Sequence, residues 1–300
     1  MGLRSIILGA AAGGGLPQWN CACPNCAAAR SGEIPPQTQS SLAVSVDGTD
    51  WALLNASPDI GLQLRSTPAL HPSGQRTIPV STVLLTNGDI DHVAGLLTLR
   101  EKTAFRLVMT PEIASVIAAN PIFSALDSDL VARVEIGLDE DFDLLRGLTA
   151  RLFPVPGKVP LYMEGAEANL VTDLEGEQTV GVELSDGAAR AYYIPGCARL
   201  TSRLRERLEG ADLLFFDGTL WTDDEMIRLG LGKKTGGRMG HISMSGATGS
   251  IEAFKNLDIG RKIFVHMNNS NPVLNPAAPE RREAEAAGWE IGQDGMAVSI

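Results

Sequence analysis

Apolar runs of strand length alternate with Gly, Pro, Asp and Ser punctuation along most of the chain. Residues 4–8 predict a first strand, followed by a glycine-rich turn at 10–15. Residues 41–46 and 51–55 flank Asp47-Gly48 and predict a hairpin around a two-residue turn. A helix is expected over 58–65, with Pro in its first turn. The run 80–85 has the β-branched, aliphatic character of a buried strand, and 93–100 has apolar positions at helical spacing. Strand 105–109 and helix 111–120 follow. Residues 127–143 mix apolar and acidic side chains without a clean period, and predict an irregular or helical stretch with a solvated face.

Strands are then expected at 148–155, 168–174, 179–184 and 189–194, a helix at 202–208 and a buried strand at 212–216. A helix over 243–256, a strand over 261–265, an amphipathic helix over 277–287 and a terminal strand complete the pattern. No internal repeat or polar linker divides it. Strands with a helix, then strands with helices again, predict two sheets sandwiched by helices: an α/β (α+β) chain in four αββα layers, folded as one domain over 1–300.

Composition narrows the function. With 44% hydrophobic and 20% charged residues the 300-residue chain can bury a sizeable core, and a formal charge of -11 argues against nucleic acid. No apolar run reaches membrane-spanning length, and residues 1–12 read as a strand rather than a secretory leader, so a cytoplasmic location with reduced cysteines is expected. A small molecule remains as the natural partner; a homodimer is compatible with the sequence but not specified by it.

Chemistry concentrates in four stretches. Thr86-Asn87-Gly88-Asp89-Ile90-Asp91-His92 gathers two carboxylates, a carboxamide and an imidazole at a strand end, a cluster that suits a cation. Cys21, Cys23 and Cys26 form C-x-C-x-x-C, too tight for comfortable disulfides among themselves and suited to a structural zinc in a loop at 20–27. Gly230 to His241 carries Lys233, Lys234 and Arg238 but lacks the order of a phosphate loop, and reads as a mobile basic flap. His266-Met267-Asn268-Asn269-Ser270-Asn271-Pro272 closes another strand. His71 lies in a Pro- and Gly-rich loop and is given no role.

The loop ending in Asp91-His92, followed by Gly95-Leu96, resembles the H-x-H-x-D-H signature of the metallo-β-lactamase superfamily. Together with C-x-C-x-x-C, Asp217-Gly218-Thr219, Met239-Gly240-His241-Ile242-Ser243 and the His266 loop, it resembles the pyrroloquinoline quinone (PQQ) biosynthesis protein B family within that superfamily. Asn87 and Asp89 stand where hydrolases of the superfamily carry their first histidines, residues 153–158 hold no histidine, and Gly196-Cys197-Ala198 replaces the bridging aspartate segment. The resemblance therefore implies one surviving metal site, Asp91, His92 and His266, with Asp89 as a fourth ligand or an acceptor orienting an imidazole.

Two histidines and a carboxylate on one face suit Fe(II) with O₂ as cosubstrate, although zinc is chemically possible. The implied activity is hydroxylation of the tyrosine ring of a Glu-Tyr derived, peptide-derived intermediate. His241 is the expected acid/base or substrate-orienting group, or else a cap on the helix after it, and Asp217 its support, a metal neighbour or a turn residue. Lys233, Lys234 and Arg238 are candidates for substrate carboxylates, and Asn269 for a fourth ligand to the structural zinc. A metal-dependent hydrolase and a non-catalytic carrier in transport of the quinone or its precursor are the competing readings.

Overall fold

The computed structural model describes residues 2–165 and 171–300. Strands β1 (Arg4–Gly9), β2 (Ser41–Ser45), β3 (Trp51–Leu54), β4 (Val80–Leu84), β5 (Phe105–Met109) and β6 (Val131–Glu135) belong to one sheet. Strands β7 (Asp141–Leu145), β8 (Leu148–Pro154), β9 (Val180–Ser185), β10 (Arg190–Ile194), β11 (Ala211–Asp217), β12 (Ile259–Val265) and β13 (Trp289–Ile291) make the other. The last strand, β14 (Ala297–Ser299), returns to pair with β1, so among the described residues each sheet has seven strands.

Both sheets share one topology. In the order β14-β1-β2-β3-β4-β5-β6 the first three pairings are antiparallel and the last three parallel. The order β7-β8-β9-β10-β11-β12-β13 repeats that sequence of pairings. This duplication, invisible in the residues, gives two mixed sheets flanked by helices. The β3/β4/β5 and β10/β11/β12 triplets are parallel, and ligands in such sheets sit beyond the carboxyl ends of parallel strands. The interior is filled by buried strand side chains such as Leu53, Leu84, Phe153, Tyr193 and Phe215. Ser40 Oγ and Tyr193 Oη, 3.1 Å apart and buried, link the sheets by a hydrogen bond.

Several local expectations are corrected. Residues 127–143 are neither irregular nor helical: they contain β6 and open β7, the edge strands of their sheets. Edge strands have no partner on one side and expose much of their surface, so β6 and β7 lack the buried apolar pattern of a central strand. The hairpin loop spans five residues, 46–50, because Asp47 Oδ1 accepts the N–H groups of Thr49 and Asp50 and widens the turn. The helix expected over 243–256 is reduced to Ser250–Ala253: Gly246 adopts φ 89°, and a Cβ on Gly249 would lie 2.2 Å from the Ser245 carbonyl oxygen. Of the strand expected at 168–174, residues 168–170 lie outside the described residues, and Leu174 makes an isolated bridge to Gly157.

Candidate metal centre

The loop after β4 is anchored on both sides. Thr86 N–H donates to Asn55 Oδ1 (2.9 Å), and its carbonyl accepts Val180 N–H (2.9 Å). The Asp89 carbonyl accepts the N–H groups of His92 and Val93, starting a short helix, Ile90–Val93, that continues as a 3₁₀ turn, Ala94–Leu97. The helix thus begins three residues before the expected 93, with Asp91 and His92 inside it. Gly95 presses this turn onto the Ala56-Ser57 backbone, where a Cβ would meet the Ser57 carbonyl oxygen at 2.2 Å.

His92 is 1% exposed, and its Nδ1 lies 2.8 Å from Asn87 Oδ1. That oxygen also accepts Asp89 N–H (3.0 Å), which identifies it as oxygen and makes His92 Nδ1–H the donor. Nε2 then carries a lone pair; it is buried and has no hydrogen-bond partner. An orphaned, buried imidazole acceptor beside a carboxylate fits a metal ligand. Burial holds the His92 pKa down to about 4, against the pull of Asp91, so the ring is neutral near pH 7.

His266 comes from the end of β12 and adopts φ 58°, an unusual backbone region for a non-glycine residue and a mark of functional sites. Its Nε2 lies 3.1 Å from Asp91 Oδ2. One ligand atom each from Asp91, His92 and His266 falls within 4.8 Å of the others, and the two rings meet edge to face with centroids 5.2 Å apart. Burial opposes charge on both partners, yet the facing His92 and then the hydrogen bond and attraction of His266 leave the Asp91 carboxyl low, and the hydrogen bond and charge of Asp91 leave His266 raised. Gly13 comes close on the other side, a Cβ there lying 3.4 Å from Asp91 Oδ2.

A second network adjoins the first. Asp217, fully buried at the end of β11, accepts His241 Nδ1–H (2.7 Å) and Cys197 N–H (2.9 Å) on Oδ2. Its Oδ1 accepts Thr219 N–H (3.0 Å) and the Thr219 hydroxyl (2.7 Å). The hydroxyl proton being committed there, Thr219 Oγ1 accepts from His266 Nδ1 at 2.9 Å, which directs His266 Nε2 at Asp91. Burial works against an Asp217 carboxylate, but the facing His241 outweighs it and keeps the pKa low. Asp217, His241 and His266 also lie within metal-ligand reach of one another, but these hydrogen bonds already engage them. No helix starts directly after His241 for its ring to cap; its backbone N–H instead closes the helix Gly236–Met239, and the residue lines the same 380 Å³ cavity as Asp91, His92 and His266.

The remaining candidates divide. Asp89 lines the cavity but is not in the ligand cluster, and it is Asn87 that orients the imidazole; burial, then the charge of Asp91, pushes the Asp89 carboxyl up. Residues 230–241 do not form a free flap. Thr235 caps the short helix Gly236–Met239, Gly236 N–H binds the Asp223 carbonyl and Gly237 N–H its carboxylate. Lys234 and Arg238 turn inward to Glu164, whereas Lys233 is exposed and outside the cavity. Lys158 and Glu164 were not foreseen, and although the motifs containing Asn87 and Thr219 were singled out, their roles in orienting the two imidazoles were not. Their partners lie across turns or far along the chain, as Glu164 and Lys234 do, and sequence spacing carries no signal of such pairs.

The sulfurs of Cys21, Cys23 and Cys26 converge, and the Asn269 carboxamide caps them, Nδ2 lying 3.4, 3.4 and 3.3 Å away. Nitrogen rather than oxygen faces the thiols in this arrangement; exchanging the two atoms by a half-turn of the amide would present the oxygen as a fourth zinc ligand. Gln18 N–H and Cys23 N–H donate to Cys26 and Cys21 Sγ. Burial drives the Cys23 pKa up to about 11, a proton that a soft cation would displace. Asn25 Nδ2 donates to the carbonyls of Asn269 (3.0 Å) and Asn271 (2.8 Å), joining this knuckle to the loop that begins at His266.

A family profile described as "Beta-lactamase superfamily domain" matches residues 50–267. The "Coenzyme PQQ synthesis protein B" of Methylobacterium nodulans is 57% identical, covering 99% of this chain and 100% of that protein. Its counterpart in Rhizobium meliloti is 55% identical over 99% of this chain and 98% of its own length. Among solved structures, Zn²⁺-bound PqqB from Methylobacterium extorquens superposes with a TM-score of 0.97 at 51% identity, covering 99% of this chain and all (100%) of that one. A diphosphatase from the PhnP family superposes at 0.70 with 18% identity, covering 100% and 98%, a likeness of fold.

Proposed function

The chain belongs to the coenzyme PQQ synthesis protein B family and to the metallo-β-lactamase superfamily, and serves PQQ synthesis; from that premise we propose that its reaction is an Fe(II)-dependent hydroxylation of a tyrosine ring in a Glu-Tyr derived intermediate. The observation that carries this reading is the Asp91, His92 and His266 face, with a buried, unpartnered His92 Nε2 and an open cavity before it. Bound there, Fe(II) would supply the open coordination face at which O₂ is reduced. The balance is one oxygen atom to the ring and one to water, with two protons and two electrons from an external reductant.

The chain's own residues bind and orient. Asn87 and Thr219 fix which nitrogen of each ligand imidazole is free. His241 is held by Asp217 through Nδ1, leaving Nε2 to take the phenol proton while the carboxylate steadies the imidazolium. Leu161 and Met239 give the cavity apolar wall for an aromatic ring. A hydrolase that activates water between two ions would need further ligands, yet the chain has four histidines and His71 sits in an exposed loop against the Arg65 carbonyl.

The test uses anaerobically Fe(II)-loaded protein, Glu-Tyr substrate, ascorbate and air, with zinc-loaded protein and His92→Ala alongside. A product one oxygen atom heavier, formed with iron and intact His92 alone, supports the hydroxylase. Equal activity with zinc in the absence of O₂ supports a hydrolase, and tight binding without turnover in every form a carrier.

A further inference from the structure

Asn268 stands two residues after the metal ligand His266 and lines the metal cavity, yet no step of the proposed reaction uses it. Its polar groups are engaged, with one exception. The backbone N–H donates to the Thr219 carbonyl at 3.0 Å, and the backbone carbonyl accepts Asn271 N–H at 2.9 Å. In the side chain, Nδ2 lies 3.2 Å from Met226 Sδ and 2.5 Å from Ser270 Oγ. A thioether sulfur can only accept, so the atom facing it is the amide nitrogen and not the oxygen. Both amide hydrogens are thereby used, and among the described residues Oδ1 has no hydrogen bond. Met226 and Ser270 stand outside the cavity lining. With its nitrogen turned out of the cavity, the side chain offers its oxygen to it.

The placement is rigid. Ser270 Oγ–H is itself directed at Glu225 Oε1, and Glu225 Oε2 accepts Trp221 N–H at 2.7 Å, so the amide is anchored to a buried carboxyl group. Thr219 grips the segment twice: its hydroxyl oxygen accepts from His266 Nδ1, and its carbonyl accepts Asn268 N–H. One residue therefore orients the ligand imidazole and seats the amide beside it. An acceptor fixed in this way loses little freedom when a donor arrives, and it penalises a ligand that leaves it unpaired.

We propose that Asn268 is a substrate-binding residue whose Oδ1 accepts an N–H of the ligand held at the metal centre. The ligand class is then a phenol that carries an amine or amide, and a phenol without nitrogen is discriminated against. This rests on the proposed function in one respect: there the phenol proton goes to His241, which leaves nitrogen as the donor to Asn268.

Calorimetric titration of zinc-loaded, full-length protein tests the contact without iron, O₂ or turnover. The probes are L-glutamyl-L-tyrosine, glutaryl-L-tyrosine, which lacks the amino group and keeps the amide, and 3-(4-hydroxyphenyl)propanoate, which keeps the phenol and has no N–H. The proteins are wild type, Asn268→Leu, which nearly preserves volume, and Asn268→Ala. Either substitution should weaken the dipeptide about tenfold and leave the propanoate and the zinc content unchanged. An equal loss for glutaryl-tyrosine would assign the bond to the amide N–H, and no loss would assign it to the amine. Equal dipeptide binding by wild type and both variants, or all three probes weakened alike, would overturn the contact. So would loss of zinc from both variants, or a wild type that binds neither N–H probe more tightly than the propanoate. Dipeptide binding that depends on Asn268, in protein that does not hydroxylate it, would keep the contact and count against the hydroxylase. Hydroxylation by Asn268→Leu at an unchanged KM would do the reverse.

Discussion

The carboxamide oxygen of Asn87 stands 2.8 Å from Nδ1 of His92 and fixes the ring so that its buried Nε2 faces the metal position. Such outer partners of a ligand imidazole typically contribute about 10–100-fold to metal affinity. Asn87→Ala should therefore weaken divalent metal binding by about that factor, measured by competition with a chelator at neutral pH. Asn87→Asp, which keeps an acceptor at the same place, should retain most of it. Equal affinity in Asn87→Ala and wild type would remove Asn87 from the metal centre.

His241 reaches the cavity but bonds to Asp217 and not to Asp91. His241→Ala should cut turnover by about 10²–10⁴-fold, the range for loss of a general acid or base, while the metal content stays at the wild-type level. Parallel loss of metal and activity would make His241 a ligand instead.

The cysteine knuckle and the loop that begins at His266 are tied through Asn25, Asn269 and Asn271. We predict that the knuckle binds one zinc ion, and that Cys23→Ser should release it and lower stability by at least about 2 kcal/mol, roughly 4 °C in Tm for a chain of this size. Because His266 begins that loop, affinity at the second metal position should fall too. A variant that loses zinc and keeps both Tm and that affinity would show the knuckle to be independent.

Asp294 fastens the chain end to the glycine turn, accepting Ala10 N–H at 2.9 Å, Thr38 N–H at 2.7 Å and the Thr38 hydroxyl at 2.7 Å. Burial raises its pKa from 3.8 to about 6, with Asp59 adding to the shift. Between those values the folded protein holds more protons than the unfolded chain, so this stabilisation is full below 3.8 and is lost as pH rises through about 6. Relative to Asp294→Asn, wild type should lose stability from pH 4 to pH 7 in chemical denaturation. A constant difference across that window would refute the shift.

Much of this architecture was legible because central strands such as β4, β11 and β12 are buried runs bounded by turn residues. Asp91, His92, His266 and the three cysteines stood out because metal ligands are chemically distinctive and two of the groups are local in sequence. The edge strands β6 and β7 did not, since exposure erases their pattern. Orienting groups were equally silent: Thr219 bonds across 47 residues to His266, and Glu164 gathers cations from 158, 234 and 238. The duplicated sheet topology lies in pairing directions, which side-chain types do not record.

The most direct test of the hydroxylase is the origin of the oxygen. Iron-loaded protein turning over a Glu-Tyr substrate under ¹⁸O₂ in ordinary water should place one ¹⁸O atom in the ring of the product, and none should appear with His92→Ala. Oxygen drawn from water instead, or an unchanged substrate in the presence of Fe(II), reductant and O₂, would contradict the account.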